Sequence, residues 1–86
     1  MKKTFSDRAW DDYQYWIKTN KKMLKKVNDL LKDIERNGNE GLGKPEPLRH
    51  SLEGYWSRRI NEEHRLVYRI LEEEDAIYIA QARLHY

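Results

Sequence analysis

Glu46, Arg65 and His85 could together supply a base, a cation and an acid. Such a set suits metal-free RNA cleavage, in which the 2′-hydroxyl of the RNA attacks the neighbouring phosphate. A base takes the hydroxyl proton, a cation stabilises the added negative charge on the five-coordinate phosphate, and an acid protonates the departing 5′-oxygen. Histidine suits the last role because its imidazole exchanges protons near neutral pH.

Each of these residues also has a purely structural interpretation. Glu46 lies between two prolines in a loop, where a carboxylate is usually only solvated, and Arg65 could be an exposed arginine without a function. His50 and His64 are interpreted as surface or hydrogen-bonded residues. No Asp, Glu or His group has the spacing of metal ligands, and the chain has no Cys, so neither a metal nor a cofactor is expected.

Length and composition predict one small domain over residues 1–86. Charged residues make up 37% of the chain and apolar residues 38%, while aromatic residues reach 12%. The aromatic content argues against disorder because it supplies large groups for a core. The sequence has no apolar signal peptide or membrane span, which predicts a cytoplasmic protein without a membrane partner.

The charge is unevenly distributed along the chain. Residues 1–36 carry ten Lys or Arg and six Asp or Glu, whereas four acids stand together at residues 72–75. The net charge of +2 therefore conceals a basic body and one acidic turn. A basic surface of this kind is typical of a protein that binds nucleic acid or an acidic partner.

The first half of the chain predicts a short strand and a helical hairpin. Residues 2–5 suit a strand, and Ser6 is a good N-cap for a helix over residues 7–18. Asn20 can cap a second helix, which Gly38 would end. Apolar side chains recur at three- and four-residue steps in both helices; they are Ala9, Trp10, Tyr13, Trp16, Ile17, Met23, Leu24, Val27, Leu30, Leu31 and Ile34.

The second half of the chain predicts strands. Residues 37–47 are rich in Gly and Pro and are expected to form a loop. Beyond it the apolar period changes to two over residues 55–60, 64–71 and 76–83. Tight connections between these runs require antiparallel pairing. The predicted fold is α+β in the order β-α-α-β-β-β, with the helical hairpin on one face of a small twisted antiparallel sheet.

Helices on one side leave the other face of such a sheet open. Arg65, Val67 and Arg69 share one side of their strand, and Arg58 and Arg59 must point to opposite faces of theirs. At least one arginine from each of these two neighbouring strands is therefore expected to lie close to an arginine of the other strand. Clustered arginines near aromatic rings suit a phosphate-bearing ligand such as single-stranded nucleic acid.

Five segments in the same order resemble the YoeB/Txe toxins, a branch of the RelE/ParE superfamily. The segments are WDDYQYW at residues 10–16, GKPEPL at 43–48, WSRRI at 56–60, EEHRLVY at 62–68 and the terminal pair His85–Tyr86. The resemblance runs from about residue 5 to the last residue. It implies the RelE-like microbial RNase fold, which agrees with the layout above.

The resemblance also implies an activity. Members of this family are mRNA interferases that cut mRNA in the ribosomal A site by the metal-free route, leaving a 2′,3′-cyclic phosphate and a 5′-hydroxyl. By motif, Glu46 resembles the general base, Arg65 the phosphate-stabilising cation and His85 the general acid, while Tyr86 resembles a positioning group. The resemblance also implies that Arg59 and Arg49 contact phosphates. The sequence adds Lys44, from the loop before the strands, as a further phosphate contact.

Position 49 is an arginine where a lysine is common in the family, so the charge is kept and the geometry differs. The implied partners are a YefM/Axe-like antitoxin, acidic and partly disordered, and the small ribosomal subunit with its RNA and the bound mRNA. Operator DNA would be reached only through the antitoxin complex, and family members are often dimers. Two other functions stay open, a ParE-like poison of DNA gyrase that is not an enzyme and a plain RNA-binding module.

Overall fold

A computed structural model describes residues 1–85 and leaves Tyr86 outside the described residues. Its helices and strands, in chain order, are β1 (Lys2–Phe5), α1 (Asp7–Thr19), α2 (Lys21–Asn37), β2 (Glu46–Pro47), β3 (Trp56–Arg59), β4 (Arg65–Leu71) and β5 (Ala76–Gln81). Short 3₁₀ turns occupy His50–Leu52 and Glu72–Glu74. Within residues 1–85, neither helix combines the length and the apolar character that crossing a membrane requires.

Capping residues set the limits of the helical hairpin. The Ser6 hydroxyl accepts a hydrogen bond from the Ala9 amide at the start of α1. The Asn20 side chain accepts from the amides of Lys22 and Met23 at the start of α2. Gly38, with a φ of 67°, ends α2 in a backbone region that favours glycine. The predicted hairpin and its caps are confirmed.

The five strands form one sheet in the order β1-β5-β4-β3-β2. The pairs formed by β5 with β4, β4 with β3 and β3 with β2 are antiparallel, whereas β1 runs parallel to β5. The predicted α+β class is confirmed, with a mixed sheet in place of a wholly antiparallel one. The difference arises because no tight turn joins β1 to β5, so nothing forces the two strands to run in opposite directions.

The loop predicted over residues 37–47 also contains a strand that the sequence did not indicate. Glu46 and Pro47 pair with Ser57 and Trp56 as β2, at the edge of the sheet. A proline cannot donate a ladder hydrogen bond. An edge strand tolerates Pro47 because one side of the strand has no neighbour to which the missing N–H would have to donate. The pairing fixes Glu46 relative to the rest of the sheet.

The core lies between the two helices and one face of the sheet. Leu66 and Tyr68 of β4 are fully buried there against Val27, Leu30 and Ile34 of α2. In α1, Trp16 is buried as predicted, but Trp10 is 51% exposed and Ile17 is 43% exposed. The positions of α1 that point inward are 9, 12 and 16, so Trp10 projects sideways and packs on the Phe5 ring, 5.9 Å away.

Candidate functional site

The face of the sheet that the helices leave open carries the candidate site. Residues directly opposite on antiparallel strands share a face, and the ladder places Glu46 opposite Ser57, Ser57 opposite Val67 and Val67 opposite Gln81. These four residues form a row across β2, β3, β4 and β5. Ser57, Val67 and Gln81 are buried within this row, and Glu46 stands exposed at its outer end.

Arg59 and Arg65 face each other two residues further along the ladder from Ser57 and Val67. With strands spaced about 4.8 Å apart and a rise of about 3.4 Å per residue, the backbones of Glu46 and Arg65 are about 12 Å apart. Two long side chains can span that separation around a phosphate group. The strand register therefore brings together one arginine from each strand, as predicted. These are Arg59 of β3 and Arg65 of β4.

The Arg65 guanidinium is held by the turn between β3 and β4. Its Nη1 donates to the carbonyls of Asn61 at 2.9 Å, His64 at 3.1 Å and Glu62 at 3.2 Å. The backbone amide of Arg65 donates to the Leu84 carbonyl at 3.1 Å. The segment that carries His85 thus lies against the start of β4, and it brings His85 and Arg65 to the same end of the sheet.

Arg58 does not belong to this face. It is fully buried, and its guanidinium donates to the Asp33 carboxylate, to the Tyr68 hydroxyl and to three carbonyls of the loop after α2. The hydrogen bond from Arg58 holds the pKa of Asp33 below its ordinary value, and burial raises the pKa of Tyr68. Arg58 is therefore a structural cation that fixes the loop leading to β2.

The three predicted phosphate contacts line two separate depressions. Glu46 and Arg49 line a cavity of about 590 Å³ that extends to the 3₁₀ turn at His50–Leu52. Lys44 and Arg59 line a second cavity of about 470 Å³ together with Lys26 of α2. Lys26 was not singled out in the sequence, because it is one of five lysines within nine residues and their pattern does not show which one faces a cavity.

Two further residues hold the segment of His85 and were missed as site residues in the sequence. The Gln81 side chain donates to the His85 carbonyl at 2.8 Å, and the His64 Nδ1 accepts from the Leu84 amide at 2.9 Å. The interpretation of His64 as a hydrogen-bonded residue agrees with this contact. Tyr86, the predicted positioning group, lies outside the described residues.

No group of three or more His, Asp or Glu side chains within residues 1–85 could hold a metal ion. The described site thus presents a carboxylate and two facing arginines on one face of the sheet, with the backbone of His85 at the same end. A set of this composition offers proton donors and acceptors around a centre that attracts anions.

Solved structures with the same architecture define the class of protein. A YoeB/ParE toxin from Agrobacterium tumefaciens superposes with a TM-score of 0.96 at 45% identity, over 100% of both chains. Two structures from Staphylococcus aureus, a YoeB dimer and a YoeB–YefM complex, each reach 0.92 over 100% of this chain and 98% of theirs, at 53% and 54% identity. The fold is that of these small bacterial toxins.

Sequence comparison identifies the family. The model of the YoeB-like toxins of bacterial type II toxin–antitoxin systems matches residues 5–86. The toxin YoeB of Escherichia coli strain K12 is 55% identical over 86 residues, which cover 100% of both chains. The chain belongs to this family of YoeB-like toxins, so the resemblance inferred from the five segments is confirmed.

Proposed function

We propose that this toxin is a ribosome-dependent mRNA endoribonuclease that cuts mRNA in the ribosomal A site without a metal. The observation that carries the proposal is the pair of arginines, Arg59 and Arg65, directly opposite each other on the open face. Like charges in that position destabilise a sheet. A phosphate bound between them would remove the repulsion, which supports an anionic ligand at this place.

The proposed reaction assigns one role to each neighbour of that pair. Glu46 accepts the proton of the 2′-hydroxyl, whose oxygen then attacks the phosphorus. Arg65 stabilises the charge on the five-coordinate phosphate, and Arg59, Arg49 and Lys44 hold the adjoining phosphates. His85 donates a proton to the 5′-oxygen as its bond to phosphorus breaks, which leaves a 2′,3′-cyclic phosphate and a 5′-hydroxyl. Tyr86 would help to position the nucleotide.

The proposed partners follow from relatives and from charge. A relative from S. aureus has been solved in complex with YefM, and we extend this to an acidic, partly disordered antitoxin of that kind. The basic body of the chain, with ten Lys or Arg in residues 1–36, suits such a partner as well as ribosomal RNA. Operator DNA would be contacted only through the antitoxin complex. A homodimer, as in the solved S. aureus relative, is also proposed.

The test uses purified ribosomes programmed with a defined mRNA and reads cleavage by primer extension. The wild-type chain should cut once in the A site and leave a cyclic phosphate. Glu46→Gln and His85→Gln should each slow cutting by about 10²–10⁴-fold. Glu53→Gln removes an exposed carboxylate from the following loop and serves as the matched control, with wild-type cutting expected.

The same experiment separates the other two functions. A gyrase poison would trap cleaved DNA and leave the message intact, and a plain RNA-binding module would bind the message without forming a cyclic phosphate. The rate of cutting, measured with chemistry rate-limiting, should show a bell-shaped dependence on pH. A flat profile would contradict the assignment of His85 as the acid.

A further inference from the structure

The register of β5 shifts by one residue just before the chain leaves the sheet. Tyr68 pairs with Ile79, but the preceding residue, Val67, pairs with Gln81, so Ala80 is an extra residue on β5. The Ser6 hydroxyl donates to the Ala80 carbonyl at 2.8 Å, and the Ser6 amide donates to the Ile79 carbonyl at 2.9 Å. The start of α1 thus stabilises the bulge, and the bulge turns Gln81 toward the open face.

The Gln81 side chain organises the backbone that follows it. Its Nε2 atom donates to the carbonyls of Arg83 at 3.0 Å, Leu84 at 3.1 Å and His85 at 2.8 Å. Three successive carbonyls can meet one nitrogen only if the chain curls around the amide. Gln81 is 9% exposed, so these hydrogen bonds face little competition from water.

The curl includes a backbone conformation that needs support. Leu84 has a φ of 65°, in the left-handed region that a residue with a Cβ rarely adopts. At the same residue the amide donates to His64 Nδ1 at 2.9 Å, and the carbonyl accepts from the Arg65 amide at 3.1 Å. The His64 ring is itself fixed edge-on against Trp16, with 4.9 Å between ring centroids.

The anchors before the curl are of a different kind. The Trp16 indole donates to the Ala82 carbonyl at 2.8 Å, and the Ala82 amide donates to the Asp12 carboxylate at 2.9 Å. These buried contacts join the chain to α1 and belong to the stability of the fold. By contrast, the Gln81 side chain donates to the carbonyls of residues 83–85, and His64 Nδ1 accepts from the Leu84 amide, so these hydrogen bonds hold the backbone next to His85.

We propose that Gln81 and His64 are positioning residues that hold the backbone of Leu84 and His85 in the shape from which His85 reaches the scissile phosphate. The proposal rests on the proposed function, since it assigns a role in orienting the general acid. Neither side chain touches the RNA in this scheme. Each acts by restricting the positions that the His85 imidazole can occupy. A general acid misplaced by about 1 Å can slow the reaction about 10²-fold.

Matched substitutions separate this role from simple support of the fold. Gln81→Met keeps the length of the side chain and removes the amide donor. His64→Leu keeps a branched side chain and removes the acceptor, whereas His64→Asn places an amide oxygen close to the position of Nδ1. We expect Gln81→Met and His64→Leu to lower kcat on programmed ribosomes by about 10–100-fold with KM nearly unchanged. His64→Asn should restore most of the lost rate.

The state of the chain end is measured separately in the free protein. Backbone ¹⁵N relaxation should show the amides of Leu84 and His85 as rigid in the wild type and mobile in Gln81→Met and His64→Leu, with the melting temperature nearly the same. Rigid amides in both variants would overturn the proposal whether or not the protein cuts mRNA. Mobile amides with wild-type kcat would also overturn it, as would a rate loss that His64→Asn fails to restore. Failure of the wild type to cut any message would instead refute the proposed function.

Discussion

Replacing Asp33 by asparagine removes the counter-ion of Arg58, whose side chain is completely buried. Removing one partner of a buried ion pair costs about 3–5 kcal/mol because a charge is left uncompensated inside the protein. The Arg58 guanidinium still donates four other hydrogen bonds, one to the Tyr68 hydroxyl and three to loop carbonyls. We therefore expect a loss at the lower end of that range, about 3 kcal/mol.

That loss is large for a chain of 86 residues. Domains of this size have a free energy of unfolding of roughly 4–13 kcal/mol, and each kcal/mol changes the melting temperature by about 4–8 °C. Asp33→Asn should therefore lower the melting temperature by about 12–24 °C, measured by circular dichroism at neutral pH. The loop that Arg58 holds leads to Lys44 and Glu46, so the geometry of the candidate site should suffer as well.

Asp29→Asn provides the matched control because it changes the same residue type one turn earlier in α2. The Asp29 carboxylate pairs with Lys25 at 2.9 Å, but this pair is exposed, and exposed pairs contribute about 1 kcal/mol or less. A melting temperature for Asp33→Asn within about 4 °C of that for Asp29→Asn would refute the reasoning, since 4 °C corresponds to about 1 kcal/mol or less.

The pH dependence gives an independent check on the same pair. Arg58 lowers the pKa of Asp33 in the folded state, so the carboxylate stabilises the fold at any pH above its unfolded pKa of about 3.9. This contribution is lost as the pH falls through the lower, folded pKa. The difference in free energy of unfolding between wild type and Asp33→Asn should stay constant from about pH 7 to pH 5 and shrink below about pH 4. A difference that grows on acidification would contradict the assignment.

Three further predictions concern the proposed RNA contacts and the chain end. Lys26→Gln should weaken RNA binding and reduce the slope of log affinity against log salt by about 0.7, while Lys18→Gln on α1, outside the cavity that Lys26 lines, should leave the slope unchanged; equal slopes for the two variants would exclude Lys26 as a phosphate contact. Gly43→Ala should destabilise the fold and slow cutting more than Gly38→Ala. Both glycines have a positive φ, but only at Gly43 would the new Cβ meet atoms of β3 and α2, at about 3.0 Å. Equal melting temperatures for the two variants would contradict this prediction. Deleting His85–Tyr86 should abolish cutting and change the melting temperature little, and a strong loss of stability would show that the chain end supports the fold.

The sequence predicted the parts of the fold that local chemistry determines. The helix limits follow from Ser6, Asn20 and Gly38, which cap the helices by contacts within a few residues. The alternation along β4 likewise places Leu66 and Tyr68 inside. These predictions succeed because the apolar period and the capping groups act over short distances.

The unpredicted parts depend on contacts between distant segments. Alternation predicts that Arg58 and Arg59 face opposite ways, but which one enters the core depends on Asp33, which lies 25 residues earlier. The bulge at Ala80 depends on Ser6, 74 residues away, and a pattern of period two cannot reveal an inserted residue. Gln81 was therefore assigned only to a strand, and its hold on the His85 segment went unrecognised.

The position of β5 inside the sheet has a consequence for how the chain folds. This strand is the last of the five to be synthesised, yet it lies between β1 and β4, and residues 2–5 of β1 find their ladder partners only at residues 76–79. In a nascent chain that ends before residue 76, β1 is not joined to β2, β3 and β4, because β5 is the strand that lies between them. Closing so long a loop before the pairing contacts form makes folding slow. The sheet, and the site at its open face, can therefore assemble only after β5 has left the ribosome.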